Sequence, residues 1–157
     1  MGGSKRILLI VGCVLLLAVS WLVAVTAKTD VQRQEELIGQ AGAYLEDEVY
    51  IRAVPLLEEA AAYEDTHTLE AEELLKECYR KLIDQSGYPR KYTDLLAKQM
   101  AREDAAPACF EEAARYYLER SDLSEALAVL RDGVAKTGDA ELEALYEQER
   151  YQYRTGD

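Results

Sequence analysis

The stretch YLERSDLSEALAVLRDG, residues 117–133, repeats the pattern of YLEDEVYIRAVPLLEEA, residues 44–60, at an offset of 73 residues and without a gap. Both stretches carry the same residue at five positions: Tyr44 and Tyr117, Leu45 and Leu118, Glu46 and Glu119, Ala53 and Ala126, and Leu57 and Leu130. A helix pair cannot bury its own apolar stripe alone, and stacking a second pair against it solves that problem. The repetition therefore predicts stacked helical hairpins.

The residues after the amino-terminal segment are rich in helix formers, and Pro and Gly fall between the apolar-periodic runs. We predict an all-α chain with seven helices in this part. Thr68 is the predicted N-cap of the third helix, Pro89 and Pro107 are predicted first residues, and Asp122 with Glu125 is a predicted capping pair. The predicted spans are about Asp30–Leu45, Val49–Tyr63, Thr68–Gln85, Pro89–Arg102, Pro107–Glu119, Asp122–Gly138 and Asp139–Tyr151.

Short connections predict that consecutive helices pair as antiparallel hairpins. The offset of 73 is about two units, so a middle unit is expected, with Tyr79 on its first helix and Tyr92, Leu95 and Leu96 on its second. We predict that the following residues pack the repeats: Tyr44, Ala53, Leu57, Ala60, Tyr79, Phe110, Ala114, Tyr117, Ala126 and Leu130.

The spacing of Tyr, Ala and Leu resembles that of the tetratricopeptide repeat family over about residues 32–137. The matching positions are Leu37, Ala41, Tyr44, Tyr50, Ala53, Leu57 and Ala60, and then Phe110, Ala114, Tyr117, Leu123, Ala126 and Leu130. Two residues depart from the pattern: Gly133 replaces a late Ala, and Pro55 should kink the second helix or delay its start. The resemblance implies a right-handed solenoid of about three hairpins with a carboxyl-terminal capping helix. We expect one repeat domain over residues 30–151 and a flexible tail over 152–157.

Residues Ile7–Ala27 carry no charge over 21 positions, enough for a helix to cross a bilayer. We predict an uncleaved signal anchor, with two alternatives: cleavage after AVTA, before Lys28, and lipidation at Cys13. Lys5 and Arg6 precede the segment, so the amino terminus (residues 1–6) is expected in the cytoplasm and the rest outside. The sequence therefore predicts a single-pass protein of the cell membrane.

The order of a short start, a single span and the helical stretch RAVPLLEEAA also resembles the amino-terminal part of membrane-anchored WG-repeat proteins of Gram-positive bacteria. β-rich WG repeats follow in those proteins, whereas this sequence has no WG motif and a single Trp, Trp21. This resemblance implies an alternative function, a structural stalk or spacer, in a truncated or naturally short chain.

The formal net charge of the chain is −12. Without Lys5, Arg6, Lys28 and Asp30, which together contribute +2, residues 31–157 carry −14. A nucleic-acid partner is excluded by this balance, because such binders need clustered Lys and Arg. The acidity is typical of a soluble surface and is compatible with a basic partner.

Cys78 and Cys109 are expected to be buried thiols, or to form a disulfide if the fold brings them together.

The sequence shows no constellation that points to an enzyme, a cofactor or a metal. The single histidine, His67, is expected to be an exposed residue at a helix start. Neighbouring carboxylates such as Glu58–Glu59 and Glu111–Glu112 point about 100° apart on a helix and do not converge.

Tyrosine is abundant, with eleven residues, and we predict that Tyr63, Tyr88 and Tyr92 contact a protein or peptide partner. The expected function is an adaptor or assembly factor at the bacterial envelope.

Overall fold

A computed structural model describes residue 21, residues 29–63 and residues 65–155. All regular structure in this described part of the chain is helical, which confirms the all-α prediction. The predicted anchor, residues 7–27, lies outside the described residues except for Trp21. No described helix has both the length and the apolar character that crossing a bilayer requires.

Seven helices follow one another within residues 29–155, close to the predicted spans. They are residues 29–46 (α1), Tyr50–Ala61 (α2), Thr68–Lys81 (α3), Tyr88–Ala101 (α4), Pro107–Glu119 (α5), Leu123–Thr137 (α6) and Ala140–Thr155 (α7). The predicted N-cap and C-cap of α6 are both present. The Asp122 carboxylate accepts a hydrogen bond from the Glu125 N–H, and Gly138 ends the helix with a φ of 66°. A flexible tail was expected from residue 152, but α7 continues to Thr155.

Three other boundaries differ from the predictions. The N-cap of α3 is His67, and Thr68 is the first residue of the helix. The Thr68 hydroxyl accepts a hydrogen bond from the N–H of Asp65, which precedes the helix. Helix α3 ends at Lys81, before a turn that leads to Gly87, whose φ of 91° favours glycine. Pro89 is the second residue of α4 rather than the first. A proline at either position costs no helical hydrogen bond, since the first N–H groups have no partner within the helix.

Pro55 lies within α2 on its exposed side. The helix begins at Tyr50, five residues earlier, so the expectation that Pro55 delays the start of the helix is wrong. Because proline has no N–H, the carbonyl of Ile51 loses its usual helical partner, and water can reach it on this side. The buried positions Ala53 and Leu57 keep the opposite side of α2 in the core.

The chain divides into two compact units between Leu82 and Ile83. In the described part, α1, α2 and α3 form the first unit, and α4 to α7 form the second. The single repeat domain over residues 30–151 stays a prediction beside this division. The division separates α3 from α4, which are the two helices of the predicted middle hairpin.

Leu37 of α1 packs in the first unit against Ala60, Ala61 and Ala71 of α2 and α3. Small alanines at the contact let the helix axes approach closely. Ile38, Leu56 and Tyr63 cover the edge of this cluster. The core of the first unit thus joins all three of its helices.

Phe110 of α5 is central to the second unit and packs with Ala114, Ala126, Leu130 and Leu142. These residues come from α5, α6 and α7, so the last helix shares one core with the hairpin before it. Helix α4 is tied to this unit from another side, because the Lys136 ammonium of α6 donates a hydrogen bond of 2.7 Å to the carbonyl of Met100. A cation at a helix carboxyl terminus also complements the helix dipole.

Candidate functional site

The two hairpins of the sequence repeat, α1–α2 and α5–α6, bury equivalent residues at the 73-residue offset. Leu37 and Phe110 are equivalent, as are Ala60 and Gly133. Every member of the following equivalent pairs is buried: Leu37 and Phe110, Ala41 and Ala114, Ala53 and Ala126, Leu57 and Leu130, and Ala60 and Gly133. Tyr44 and Tyr117 are both half-buried. The equivalence therefore extends beyond the residues that are identical in sequence.

The turns of the two hairpins also share one backbone geometry. Glu48 and Ser121 both adopt the left-handed conformation, with φ of 57° and 59°. The next N–H, of Val49 or Asp122, donates to the carbonyl of Tyr44 or Tyr117 at 2.8 or 2.9 Å. The N–H groups of Glu48 and Ser121 donate to the carbonyls three residues earlier, at 3.0 and 2.9 Å. This pair of bonds is the Schellman ending of a helix, and it occurs in both units.

The middle unit lacks that turn. Six residues, 82–87, connect α3 to α4, whereas three connect α1 to α2 and α5 to α6. Tyr79 is buried, and its hydroxyl donates to Glu58 of α2 at 2.7 Å. Tyr79 therefore packs within the first unit, and the repeat is clear only in the two outer hairpins.

The three tyrosines predicted to contact a partner have different environments. Tyr63 is half-buried at the edge of the first core, and Tyr88 is half-buried in the second unit with the Lys91 ammonium 5.7 Å from its ring centroid. Tyr92 is only 2% exposed, and its hydroxyl donates to Glu112 at 2.8 Å. Tyr92 therefore lies in the core of its unit, whereas Tyr63 and Tyr88 are half-buried in their separate units, and contact of these tyrosines with a partner stays a prediction.

Tyr92 belongs to an aromatic cluster between α4 and α5. Its ring centroid lies 5.1 Å from that of Tyr116, which lies 5.4 Å from that of Tyr117 in an edge-to-face arrangement. The guanidinium carbon of Arg120 lies 3.9 Å from the Tyr116 ring centroid, close enough for a cation–π contact. Burial raises the pKa of the Tyr117 phenol, and Glu125 adds to this effect. Tyr92 and Tyr116 are buried and Tyr117 is half-buried, so the cluster is mostly part of the packing within the second unit.

The paired carboxylates bind separate partners, in accord with their helical geometry. Glu58 accepts from Tyr79, whereas Glu59 lies 3.3 Å from Arg33 and raises the pKa of its guanidinium. Glu112 accepts from Tyr92, and its neighbour Glu111 pairs with the arginine one turn later. Among the described residues, no group of three His, Cys, Asp or Glu side chains is arranged to hold a metal ion.

Gln34 of α1 makes a buried contact that the sequence analysis did not identify. Its amide nitrogen donates to the Ala60 carbonyl at 2.9 Å and to the Thr68 hydroxyl at 3.3 Å, and its amide oxygen accepts the His67 N–H at 3.2 Å. One fully buried side chain thus joins α1 to the end of α2 and the start of α3. A signal was present, because Gln34 lies three residues before Leu37, in the apolar register of α1.

Cys78 is buried in the first unit, and Cys109 is half-buried in the second. No disulfide joins them. Burial raises the pKa of the Cys78 thiol to about 11, with a further contribution from the nearby Glu77. Cys78 is therefore a neutral thiol that fills space, as expected for a buried cysteine.

Comparison of the chain with models of protein families, with curated proteins and with solved structures found no match.

Proposed function

We propose that this chain is a tetratricopeptide-like helical repeat module that binds a protein or peptide segment at the bacterial envelope. The observation that carries the proposal is the duplicated hairpin. The hairpins α1–α2 and α5–α6 bury equivalent positions and have a left-handed residue at the same position of the turn. Repeated hairpins are a common means of building an extended surface for a peptide. The proposed architecture is a right-handed solenoid, and the proposed role is an adaptor or assembly factor rather than an enzyme.

The proposed attachment is residues 7–27, which would hold the repeats on the outer side of the membrane. Two properties of the chain support a polypeptide partner. Tyr63 and Tyr88 keep accessible ring edges, and tyrosine contributes large contact area at a small entropic cost. The net charge of −14 over residues 31–157 favours a segment with basic residues, because opposite charge speeds encounter.

A crosslinking experiment on the full chain in its membrane tests this proposal. The full chain and a second form beginning at residue 29 are each crosslinked and captured, and the partner is titrated to saturation. We expect one partner to saturate both forms and to be lost at higher salt. Capture at background level with both forms would contradict the proposal and favour the stalk or spacer function.

Matched tyrosine variants distinguish binding from folding. Tyr63→Ala and Tyr88→Ala should weaken saturable capture, whereas Tyr92→Phe should leave it unchanged. The last variant removes only the hydroxyl that donates to Glu112 inside the second unit. A loss of capture in Tyr92→Phe alone would show that the effect arises from packing and not from the proposed contact surface.

A further inference from the structure

His67 lies between two carboxylates that belong to different helices. Its Nε2 atom is 3.3 Å from Glu35 Oε1 on α1, and its Nδ1 atom is 3.1 Å from Glu70 Oε2 on α3. The histidine side chain is 30% exposed, so it is partly shielded from water, and both carboxylates are more exposed. We refer to these three residues as the His67 junction.

The chemistry of the imidazole makes the two contacts unequal. A neutral ring has one N–H donor and one acceptor, and an ionised carboxylate only accepts. A neutral His67 can therefore donate to Glu35 or to Glu70, and its other nitrogen then faces a carboxylate with no proton between them. Only the imidazolium donates to both. We propose that His67 is a proton-dependent link between α1 and α3, which tightens the first unit on acidification.

The ring is held in this position by its own backbone. The His67 N–H donates to Gln34 Oε1, and Gln34 is fully buried beside Glu35 in the chain. The ring therefore remains near Glu35 when its charge changes.

Among the described residues, the other charged groups near the junction have contacts of their own. Asp65, in the connection before α3, has one carboxylate oxygen bound to the N–H and hydroxyl of Thr66. Arg33 of α1 pairs with Glu36 and with Glu59 of α2. The positive end of the α3 dipole opposes the imidazolium at the N-cap, and Glu70 in the first turn offsets it. The contact with Glu35 is thus the part of the link that joins two helices.

Imidazole is the side chain whose charge commonly changes between pH 5 and 8, so the test compares two pH values from that range. This inference is independent of the proposed partner binding, since it concerns the stability of the first unit alone. It predicts that the coupling between Glu35 and His67 is larger at acidic pH, where the ring donates to both carboxylates, than at alkaline pH, where it donates to one. Coupling, unlike total stability, excludes the helix dipole, because the dipole acts on His67 whether or not Glu35 is present.

A double-mutant cycle on the full chain in mild detergent tests the link. The wild type, Glu35→Gln, His67→Gln and the double variant are unfolded in urea at pH 5.5 and pH 8.0, with helix content followed by circular dichroism. We expect a coupling of about two- to fivefold in the unfolding equilibrium constant at pH 5.5 and a smaller coupling at pH 8.0. Equal coupling at the two pH values would overturn the proposal.

Glu36→Gln is the matched control, because Glu36 is the next residue on α1 and contacts Arg33 instead of the histidine. It should show no pH-dependent coupling to His67→Gln. If His67→Gln does not fold, the ring nitrogens of the single histidine can be followed by nitrogen-15 resonance. The Nε2 resonance at acidic pH must then differ between Glu35→Gln and the wild type, and identical resonances would refute the link.

Discussion

Glu48 and Ser121 lie 73 residues apart and adopt the same left-handed backbone, with φ of 57° and 59°. Each ends the first helix of a hairpin with the same pair of hydrogen bonds. Glycine is the usual residue at this position, because the Cβ of any other residue crowds the following carbonyl. Neither Glu48 nor Ser121 is glycine. The shared geometry is therefore dictated by the hairpin and not by the turn residue, which makes it a structural mark of the repeat.

The first prediction concerns these two strained positions. Glu48→Gly and Ser121→Gly should each stabilise the protein by about 0.5–1 kcal/mol, because relief of the strain outweighs the backbone entropy that glycine adds to the unfolded chain. Urea unfolding of each variant measures the change. Asp47→Gly is the control in the same turn, outside the positive-φ region, and it should destabilise the protein. Destabilisation by both substitutions at the left-handed positions would contradict the shared geometry.

The second prediction concerns Gly133, the departure from the tetratricopeptide-like pattern. A Cβ at this position would lie 2.7 Å from Phe110 Cγ and 2.8 Å from its Cβ, closer than carbon atoms pack. Gly133→Ala should therefore destabilise the protein by about 1–3 kcal/mol, even though alanine favours a helix by about 1 kcal/mol. Thermal or urea unfolding measures the sign, and a more stable variant would refute the close contact.

Three further variants test whether the Phe110 contact causes this cost: two glycine substitutions without a nearby atom, and one change of Phe110 itself. Gly39→Ala and Gly42→Ala, in α1, place a methyl group where no atom lies within 4 Å, and each should stabilise by up to about 1 kcal/mol. Phe110→Ala should reduce the cost of Gly133→Ala, because it removes Cγ and Cδ1, two of the three Phe110 atoms that lie nearest to the added methyl group. Independent, additive effects of the two substitutions would exclude a direct contact.

The helix pattern was predictable because it depends on local information. Apolar spacing and the Asp122 and Gly138 signals fix the bounds of α6, and the pairing of equivalent positions follows from the repeated phrase. The end of α3 was placed too late, since Leu82 continues the apolar pattern and is buried although it lies beyond the helix. Burial in this case depends on tertiary contacts, which the local pattern does not contain.

The candidate site was less predictable. Tyr92 shares its face of α4 with Leu95, Leu96 and Gln99, a helical spacing of three and four residues that already indicated burial. Its hydroxyl led to a prediction of partner contact, although Glu112 of the next helix satisfies that hydroxyl within the unit. The partner of a polar group on another helix is not encoded in local spacing. The same limit concealed the role of Gln34.

The third prediction concerns that glutamine. Gln34→Met keeps the volume but removes the partner of the His67 N–H and one partner of the Ala60 carbonyl, which also accepts the Tyr63 N–H at 3.3 Å. It should destabilise the protein by about 2–4 kcal/mol, because buried polar groups lose their hydrogen bonds. Thr68→Val is a milder control, since it removes one hydroxyl from the same network. Equal urea midpoints for Gln34→Met and the wild type would show that the network does not stabilise the junction.

The fourth prediction concerns Cys78. Burial raises the pKa of the Cys78 thiol from its ordinary value of 9.0 to about 11 in the folded protein. The unfolded chain therefore loses this proton first, so stability is complete below pH 9 and falls by on the order of 2 kcal/mol between pH 9 and 11. Urea unfolding of wild type and Cys78→Ala over this range isolates the effect, which the variant should lack. A parallel decline of both proteins would contradict the prediction.

The central claim is that one hairpin unit occurs twice, and a backbone measurement at Glu48 and Ser121 tests it most directly. The full chain, labelled with carbon-13 and nitrogen-15 in mild detergent, gives φ at both residues from chemical shifts and three-bond couplings. We predict a positive φ at both positions and a negative φ at their neighbours Asp47 and Arg120. A negative φ at Glu48 or Ser121 would contradict the shared turn and, with it, the repeat.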